Sequence, residues 1–337
     1  MPDAGNSGVP GVVTSDMTDS ALAALLPPIP RDAHKYTRGS LLVLAGSARF
    51  PGAAVLAAQA AARAGAGYVT LAVPEPAVTV AQTHLLSIPV LAAPAVEGAF
   101  AADTWESMCA RLSHIDALVV GPGITVTPST SAFVGEVLTM MTKGTVPAPY
   151  GWKQHNESKQ SRERRTQEPS PLRPFLPPVL LDADALNVLA ALIAEGHGFD
   201  AGSAVPAPTP HLILTPHAGE LVRLLEAAKV TDAQQLARQL NAVVVAKGPE
   251  TLIASPARSH FFTAGTAALA TAGTGDVLAG IIGAFAAQGV PPFEAAVLGV
   301  ELHGRAGRHA EQHLGQRSVR AEDVTASLPL VLQHLER

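Results

Sequence analysis

The stretch Thr271–Gly289, TAGTGDVLAGIIGAFAAQG, opens with a glycine turn around a single carboxylate and continues as an apolar helix of small residues. Glycine lets backbone N–H groups approach a ligand closely, and the first turn of a helix carries unpaired donors and partial positive charge. Gly273, Thr274 and Gly275 therefore read as a cradle for a phosphoryl group. An acid placed in such a cradle repels the anion. Asp276 makes sense there as a general base that takes a proton from a nucleophile while the backbone stabilises the transferring group. The bland alternative is a helix cap. Gly280 and Gly283 favour function, because they let this helix pack closely in a core instead of merely starting at a surface.

Outward from this helix the chain alternates short apolar runs with helical patterns. The runs are Leu41–Ser47, Tyr68–Pro74, Ala117–Gly123, Pro178–Asp184, His211–His217 and Ala242–Gly248. Most are continuously apolar, as expected of strands covered on both faces. Strands alternating with helices imply right-handed crossovers and a largely parallel sheet, with ligands bound at the strands' carboxyl ends. TLIASP and SHFFTAG read as a hairpin at one sheet edge. DSALAALL, Asp19–Leu26, reads as a short capped helix stopped by Pro27 and Pro28.

Composition allows a large core. Of 337 residues, 47% are apolar and 15% charged, which excludes a wholly disordered chain. The net charge of −5 gives no global basic field for nucleic acid. The single cysteine, Cys109, permits neither an internal disulfide nor a cysteine metal cluster, and fits a cytoplasmic location. No signal-peptide pattern and no membrane-spanning run is read. Residues 1–18 are expected to form a flexible tail, and residues 19–337 one domain. Residues 143–178, basic and rich in proline, are expected to be a disordered insertion in it. The alternative for that insertion is a lid or partner-binding arm whose Arg162, Arg164 and Arg165 touch phosphates.

Other strand ends carry further chemistry. In AKGPET, Lys247 is placed to meet a phosphate and Gly248 to turn the chain beside it, although a strand-end lysine is more often only solvated. In LTPHAGE, His217 either hydrogen-bonds a substrate amide or hydroxyl or simply starts a helix. In LDADALN, Asp182 and Asp184 suit a hard cation held through water, with helix capping as the alternative for Asp184. No GxSxG, ordinary Walker loop or His/Cys metal spacing is present.

Together with HKYTRGSLLVLAGS, GAGYVTLAVPE, LVVGPG and EAAVLGVELHGRAG, and in this order, these motifs resemble the ADP/ATP-dependent (S)-NAD(P)H-hydrate dehydratases. The resemblance runs from His34 to Leu330 apart from the insertion. It implies a ribokinase-like α/β fold: a three-layer sandwich with a mostly parallel central sheet and helices on both faces. It implies repair of hydrated NADH or NADPH, in which ADP or ATP, with Mg²⁺, phosphorylates the hydrate hydroxyl and phosphate is then eliminated. Asp276 would be the base, and Gly273, Thr274 and Gly275 the anion hole. Lys247, Gly248, Pro249, Glu250 and Thr251, with Gly275, would lie along the nucleotide. Ala53, Gly123, His217 and Asp276 would contact the hydrated dinucleotide. A homo-oligomer, with a tetramer possible, and a functional partnership with an NAD(P)H-hydrate epimerase also follow from the resemblance. Where the family carries an Asn-Pro pair ahead of the turn, this chain has Thr266 and Ala267, which bears on the shape of the nucleotide pocket. Two competing readings share parts of this logic. A vitamin-type kinase on the same fold would leave a stable phosphate ester. A non-catalytic nucleotide-binding module would have no use for Asp276.

Overall fold

The structure, a computed structural model, describes residues 12–13, 16–111, 115–143, 177–197 and 211–337. In chain order the strands are β1 (Val12–Val13), β2 (Ser40–Leu44), β3 (Tyr68–Pro74), β4 (Val90–Ala93), β5 (Ala95–Val96), β6 (Ala99–Phe100), β7 (Ala117–Val120), β8 (Val179–Leu181), β9 (Leu212–Leu214), β10 (Ala242–Ala246), β11 (Thr251–Ala254) and β12 (Ser259–Phe262). The helices are α1 (Asp19–Ala23), α2 (Pro51–Arg63), α3 (Val78–His84), α4 (Thr104–Arg111), α5 (Pro128–Lys143), α6 (Asp184–Ala194), α7 (Ala218–Ala228), α8 (Ala233–Leu240), α9 (Thr274–Ala287), α10 (Pro292–Leu314) and α11 (Ala321–Leu335).

Ten strands form one sheet in the order β1-β12-β11-β10-β9-β8-β7-β2-β3-β4, and β5 pairs with β6 in a separate hairpin. From β10 through to β4 every neighbouring pair is parallel, whereas β11 runs antiparallel to both β10 and β12. The expected hairpin near the edge is therefore present. Strand periodicity sorts the apolar runs onto both faces. Leu41, Val43, Val243 and Val245 join a core with α2, α9, α10 and α11. Their alternates Leu42, Leu44 and Val244 join a second core with α4 to α8. Each fully buried leucine or valine of this kind contributes about 1.5–3 kcal/mol. The result is the three-layer α/β arrangement expected from sequence.

Helix α9 lies deepest. A Cβ on Gly280 would sit 2.1 Å from the Ala57 carbonyl oxygen of α2, and one on Gly283 would sit 2.3 Å from Val119 Cγ2 of β7. The two glycines thus set the distances of α9 from α2 and from the sheet.

Several strands stop earlier than the apolar runs suggest. β9 ends at Leu214 and β10 at Ala246, and their Thr-Pro-His and Lys-Gly tails continue beside each other to the carboxyl edge, joined by a bridge between His217 and Lys247. Helix α1 is shorter than expected. It is capped by Thr18, whose Oγ1 accepts the Ala21 N–H, and closes at Ala24, before the prolines.

Part of the expected tail is bound. Val12 and Val13 pair in parallel with Ser259 and His260. Asp16 Oδ1 accepts the N–H groups of Thr263 and Ala264. The fully buried Glu301 accepts the Met17 N–H at 2.8 Å. Residues 1–11 and 14–15 of that segment lie outside the described residues. So do residues 144–176, which include Arg162, Arg164 and Arg165.

Candidate active site

The turn ahead of α9 is built by its loop. Gly273 adopts φ 91°, which a residue with a Cβ resists, and its Cβ would lie 2.6 Å from Leu56 Cδ1. The Thr274 hydroxyl donates to the carbonyls of Leu269 and Thr271 at 2.7 and 2.9 Å, so it fixes the turn. The Thr274 N–H donates to the Thr271 carbonyl at 3.4 Å, and the next bond back is from Val277 to the Gly273 carbonyl at 3.1 Å. The N–H groups of Gly275 and Asp276 precede that bond and are free for a ligand.

Lys247 follows β10 and stands over this turn: a Cβ on Gly275 would lie 3.4 Å from its Nζ. The ammonium donates to Asp182 Oδ1 at 2.8 Å, and the Thr215 hydroxyl donates to the same oxygen at 2.7 Å. Asp182 is buried at the end of β8. It is turned inward by Ala183, whose φ of 52° and ψ of −125° are strained for a non-glycine residue. Burial works against the Lys247 charge, but Asp182, Glu220 and Asp276 outweigh it and hold the pKa above its usual value.

Burial, reinforced by the Asp182 carboxylate and opposed by Lys247, pushes Asp276 up to about 7. A carboxyl balanced there can accept a proton near neutral pH.

Lys247, Thr274 and Gly275 border a cavity of about 690 Å³. Of the residues expected along a nucleotide, Lys247, Gly248, Pro249, Thr251 and Gly275 line it, as does Thr274. Glu250 is exposed and does not. Thr266 and Ala267 are also part of the wall.

His217 lines the same cavity and at the same time caps α7. Its Nδ1 accepts the Gly219 N–H at 3.0 Å, while Glu220 Oε2 accepts the His217 N–H at 2.8 Å. The helix-start reading of His217 thus holds, and the side chain, expected against the hydrated dinucleotide, lies on the wall shared with the residues expected along the nucleotide.

Ala53 and Gly123 do not line this cavity. They meet each other instead: a Cβ on Gly123 would lie 2.9 Å from Ala53 Cβ. Ala53 is one turn ahead of Leu56, the residue that abuts Gly273, so the pair lies toward the α2 side of the turn. Asp276 Oδ2 lies 4.0 Å from the Cβ position of Gly273, and Asp276, like the Ala53–Gly123 pair, is not part of the cavity wall.

The carboxylates read as supporters of a cation are otherwise engaged. Asp182 is paired with Lys247, and Asp184 Oδ1 accepts the Asn187 side-chain N–H at 3.2 Å. Among the described residues no group of three or more histidine, cysteine, aspartate or glutamate side chains is arranged to hold a metal ion.

Sequence reasoning missed two features. The Asp182–Lys247 pair joins residues far apart in the chain, and no local spacing announces it. His303 on α10 lines the cavity from the opposite wall, and it lies in an apolar helical pattern that reads as core. A second cavity, of about 520 Å³ between α2, α3 and α11, contains none of the expected site residues.

Comparison with known proteins identifies the family. A family profile described as NAD(P)H-hydrate dehydratase matches residues 41–148 and 170–330. The chain is 36% identical to the bifunctional NAD(P)H-hydrate repair enzyme of Moorella thermoacetica, over 92% of this chain and 52% of that protein. It spans about half the length of such bifunctional relatives. It is 31% identical to an ADP-dependent (S)-NAD(P)H-hydrate dehydratase of Xanthomonas campestris, over 95% of this chain and 97% of the relative. Among solved structures, the ADP/ATP-dependent NAD(P)H-hydrate dehydratase of Bacillus subtilis co-crystallised with ATP and Mg²⁺ is 27% identical, with a TM-score of 0.67 over 94% of this chain and 97% of that one. A ribokinase-like protein of Enterococcus faecalis, 20% identical, shares the fold with a TM-score of 0.72 over 98% of this chain and 99% of that one. With its motifs, its sheet and its glycine turn all in place, the chain belongs to the NAD(P)H-hydrate dehydratase family.

Proposed function

We propose that the protein repairs the S epimer of hydrated NADH or NADPH by nucleotide-dependent dehydration. The observation that carries this is the turn itself: free backbone donors under Lys247, next to a buried carboxyl of pKa about 7. That arrangement puts a cradle for the phosphoryl group and a base for its acceptor in one turn.

In this reading the nucleotide occupies the cavity, with its terminal phosphate at the N–H groups of Gly275 and Asp276. The hydrated dinucleotide approaches past Ala53 and Gly123. Its hydroxyl oxygen bonds to the terminal phosphorus as Asp276 takes the hydroxyl proton. The bond from that phosphorus to the bridging oxygen breaks, giving AMP from ADP or ADP from ATP. The carbon–oxygen bond of the phosphorylated hydrate then breaks and inorganic phosphate leaves. Loss of a proton from the ring restores the nicotinamide double bond. Backbone donors and Lys247 supply the electrostatic share of the barrier lowering.

A Mg²⁺ ion fits as a companion of the nucleotide and not as a resident ion. The carboxylates of Asp182, Glu220 and Asp276 outnumber the Lys247 charge they surround, yet no side-chain cage exists among the described residues. Mg²⁺ would neutralise charge on the phosphates when bound.

The same reading makes residues 19–337 one catalytic domain and the protein a cytoplasmic homo-oligomer working after an NAD(P)H-hydrate epimerase. No helix among the described residues is long and apolar enough to cross a membrane.

The test is absorbance of the reduced nicotinamide in purified protein with Mg²⁺ and hydrated NADH, adding ADP and ATP separately. A rise dependent on nucleotide is expected and names the donor. No rise with either, together with a stable phosphate ester formed from some other alcohol, would replace the dehydratase reading with that of a kinase.

A further inference from the structure

The loop between β12 and α9 forms one wall of the cavity, through Gly265, Thr266, Ala267, Leu269, Ala270 and Thr271. Side chains moor it at its end, its middle and its start. At the end, the Thr274 hydroxyl holds the carbonyls of Leu269 and Thr271. In the middle, the Thr266 hydroxyl donates to Glu311 of α10 and accepts the Ala268 N–H at 3.1 Å. At the start the ladder has already stopped at Phe262, and the N–H groups of Thr263 and Ala264 donate to Asp16 Oδ1 at 2.8 and 3.1 Å. The Thr263 hydroxyl reaches both oxygens of the same carboxylate, at 3.4 and 3.3 Å.

Asp16 can hold the loop because the residue beside it is itself fixed. The Met17 N–H donates to the fully buried Glu301, and the Met17 carbonyl accepts Arg305 Nη2 at 2.7 Å. Arg305 also pairs with Asp19. Glu301 and Arg305 belong to α10, which lines the cavity through Val300 and His303. One helix thus braces both the far wall and the carboxylate that sets the near one.

We propose that Asp16 is a positioning residue for nucleotide binding: by fixing Thr263 and Ala264 it keeps the following loop in the shape that receives the nucleotide. This rests on the cavity being the nucleotide site. Asp16 is not part of the cavity wall, so it acts through the loop. Hydrogen bonds to a carboxylate are strong ones, and a wall ordered in advance spares the ligand the cost of ordering it. The phosphate turn is secured separately by the Thr274 hydroxyl, so the effect falls on nucleotide affinity.

Calorimetric titration of the full chain with ADP and with ATP tests this. Asp16→Ala should weaken the tighter-binding nucleotide by at least about fivefold. Asp16→Asn keeps an oxygen for the two N–H groups and should bind within about twofold of wild type. Thr18→Ala is the control: it removes the cap of α1, whose bond is to the Ala21 N–H, and should lower the melting temperature while leaving nucleotide affinity unchanged. The proposal is overturned if Asp16→Ala binds as wild type does, or if Asp16→Asn is as weak as Asp16→Ala. It is overturned equally if Thr18→Ala weakens binding as much as Asp16→Ala, because the cause would then be general loosening of the leading segment. Wild type that binds neither nucleotide removes the nucleotide-site reading and this role with it, whereas wild-type binding that Asp16→Ala leaves intact removes the Asp16 role alone.

Discussion

The turns at Gly121–Gly123 and Gly273–Gly275 look alike in sequence, each with a residue held between two glycines. Their backbones are used in opposite ways. At the first, the Gly121 N–H donates to the Leu44 carbonyl, the Pro122 carbonyl accepts the Gly46 N–H at 2.7 Å, and the Gly121 carbonyl accepts the Ile124 N–H. These groups are consumed by the fold. At the second, the donors of Gly275 and Asp276 are left over, and Lys247 stands above them. Packing demands glycine at Gly121 and at Gly273 alike, whereas Gly275 leaves room for what must approach its N–H. A glycine motif is thus informative only once the destination of its N–H groups is known.

The sharpest way to break this comparison is to add a methyl group to each turn. At Gly121, φ is 130° and a Cβ would lie 1.8 Å from the Asp182 carbonyl oxygen. Gly121→Ala should cost more than about 3 kcal/mol, or prevent folding altogether, as read by thermal melting. At Gly275 the nearest atom to a Cβ is the end of the Lys247 side chain, 3.4 Å away. Gly275→Ala should melt within about 1 kcal/mol of wild type yet weaken ADP binding by calorimetry. Equal stability losses at the two positions would erase the distinction.

The acid that marks the second turn comes next. Asp276→Asn should lower turnover by about 10²–10⁴-fold while nucleotide binding persists. In the wild type, kcat/KM should rise with pH and level off above about 7 as Asp276 ionises, and this limb should vanish in the variant. Stability should move the other way. The folded state raises this pKa from 3.8 to about 7, so the unfolded chain releases the proton first and wild-type stability falls as pH rises across that interval. Asp276→Asn should therefore be more stable than wild type by an amount that grows over the same interval, on the order of a few kcal/mol at neutral pH. Melting curves at several pH values test this directly.

Removing Lys247 leaves Asp182 buried without its ammonium. Lys247→Met should cost about 3–5 kcal/mol, and the double variant with Asp182→Asn should recover most of it. The smallest effect is expected at His217. His217→Ala should cost about 1 kcal/mol through the lost cap of α7, and His217→Asn, which also caps, should restore it.

These contrasts mark where sequence was sufficient. The continuous apolar runs foretold the parallel strands because each is buried on both faces, and the alternation of Leu41, Leu42, Val43 and Leu44 between two cores is what demands such runs. The turn before α9 was legible because glycine, acid and helix are adjacent in the chain. His217 and Glu220 stood at cap spacing for the same reason. What escaped was assembled across distance. Asp182 looked like support for a cation, and only the sheet order that sets β8 two places from β10 reveals Lys247 as its partner. His303 was hidden because a histidine on a buried helix face looks like any core residue until the opposite wall of the cavity is in view. The short strand β1 was missed because two valines make no periodic signal, and the pairing that holds them is with β12, far along the chain.

That last pairing has a consequence for behaviour in solution. A sheet ending at β12 would present an open ladder to any extended chain it met, a template for association between molecules. Val12 and Val13 occupy Ser259 and His260 of that ladder, and Asp16 takes the N–H groups of Thr263 and Ala264 just beyond it. The leading segment acts as a guard rail on the sheet's rim. A chain trimmed to begin at residue 19 should retain the catalytic turn and yet aggregate at concentrations where the full chain stays dispersed, as light scattering would show.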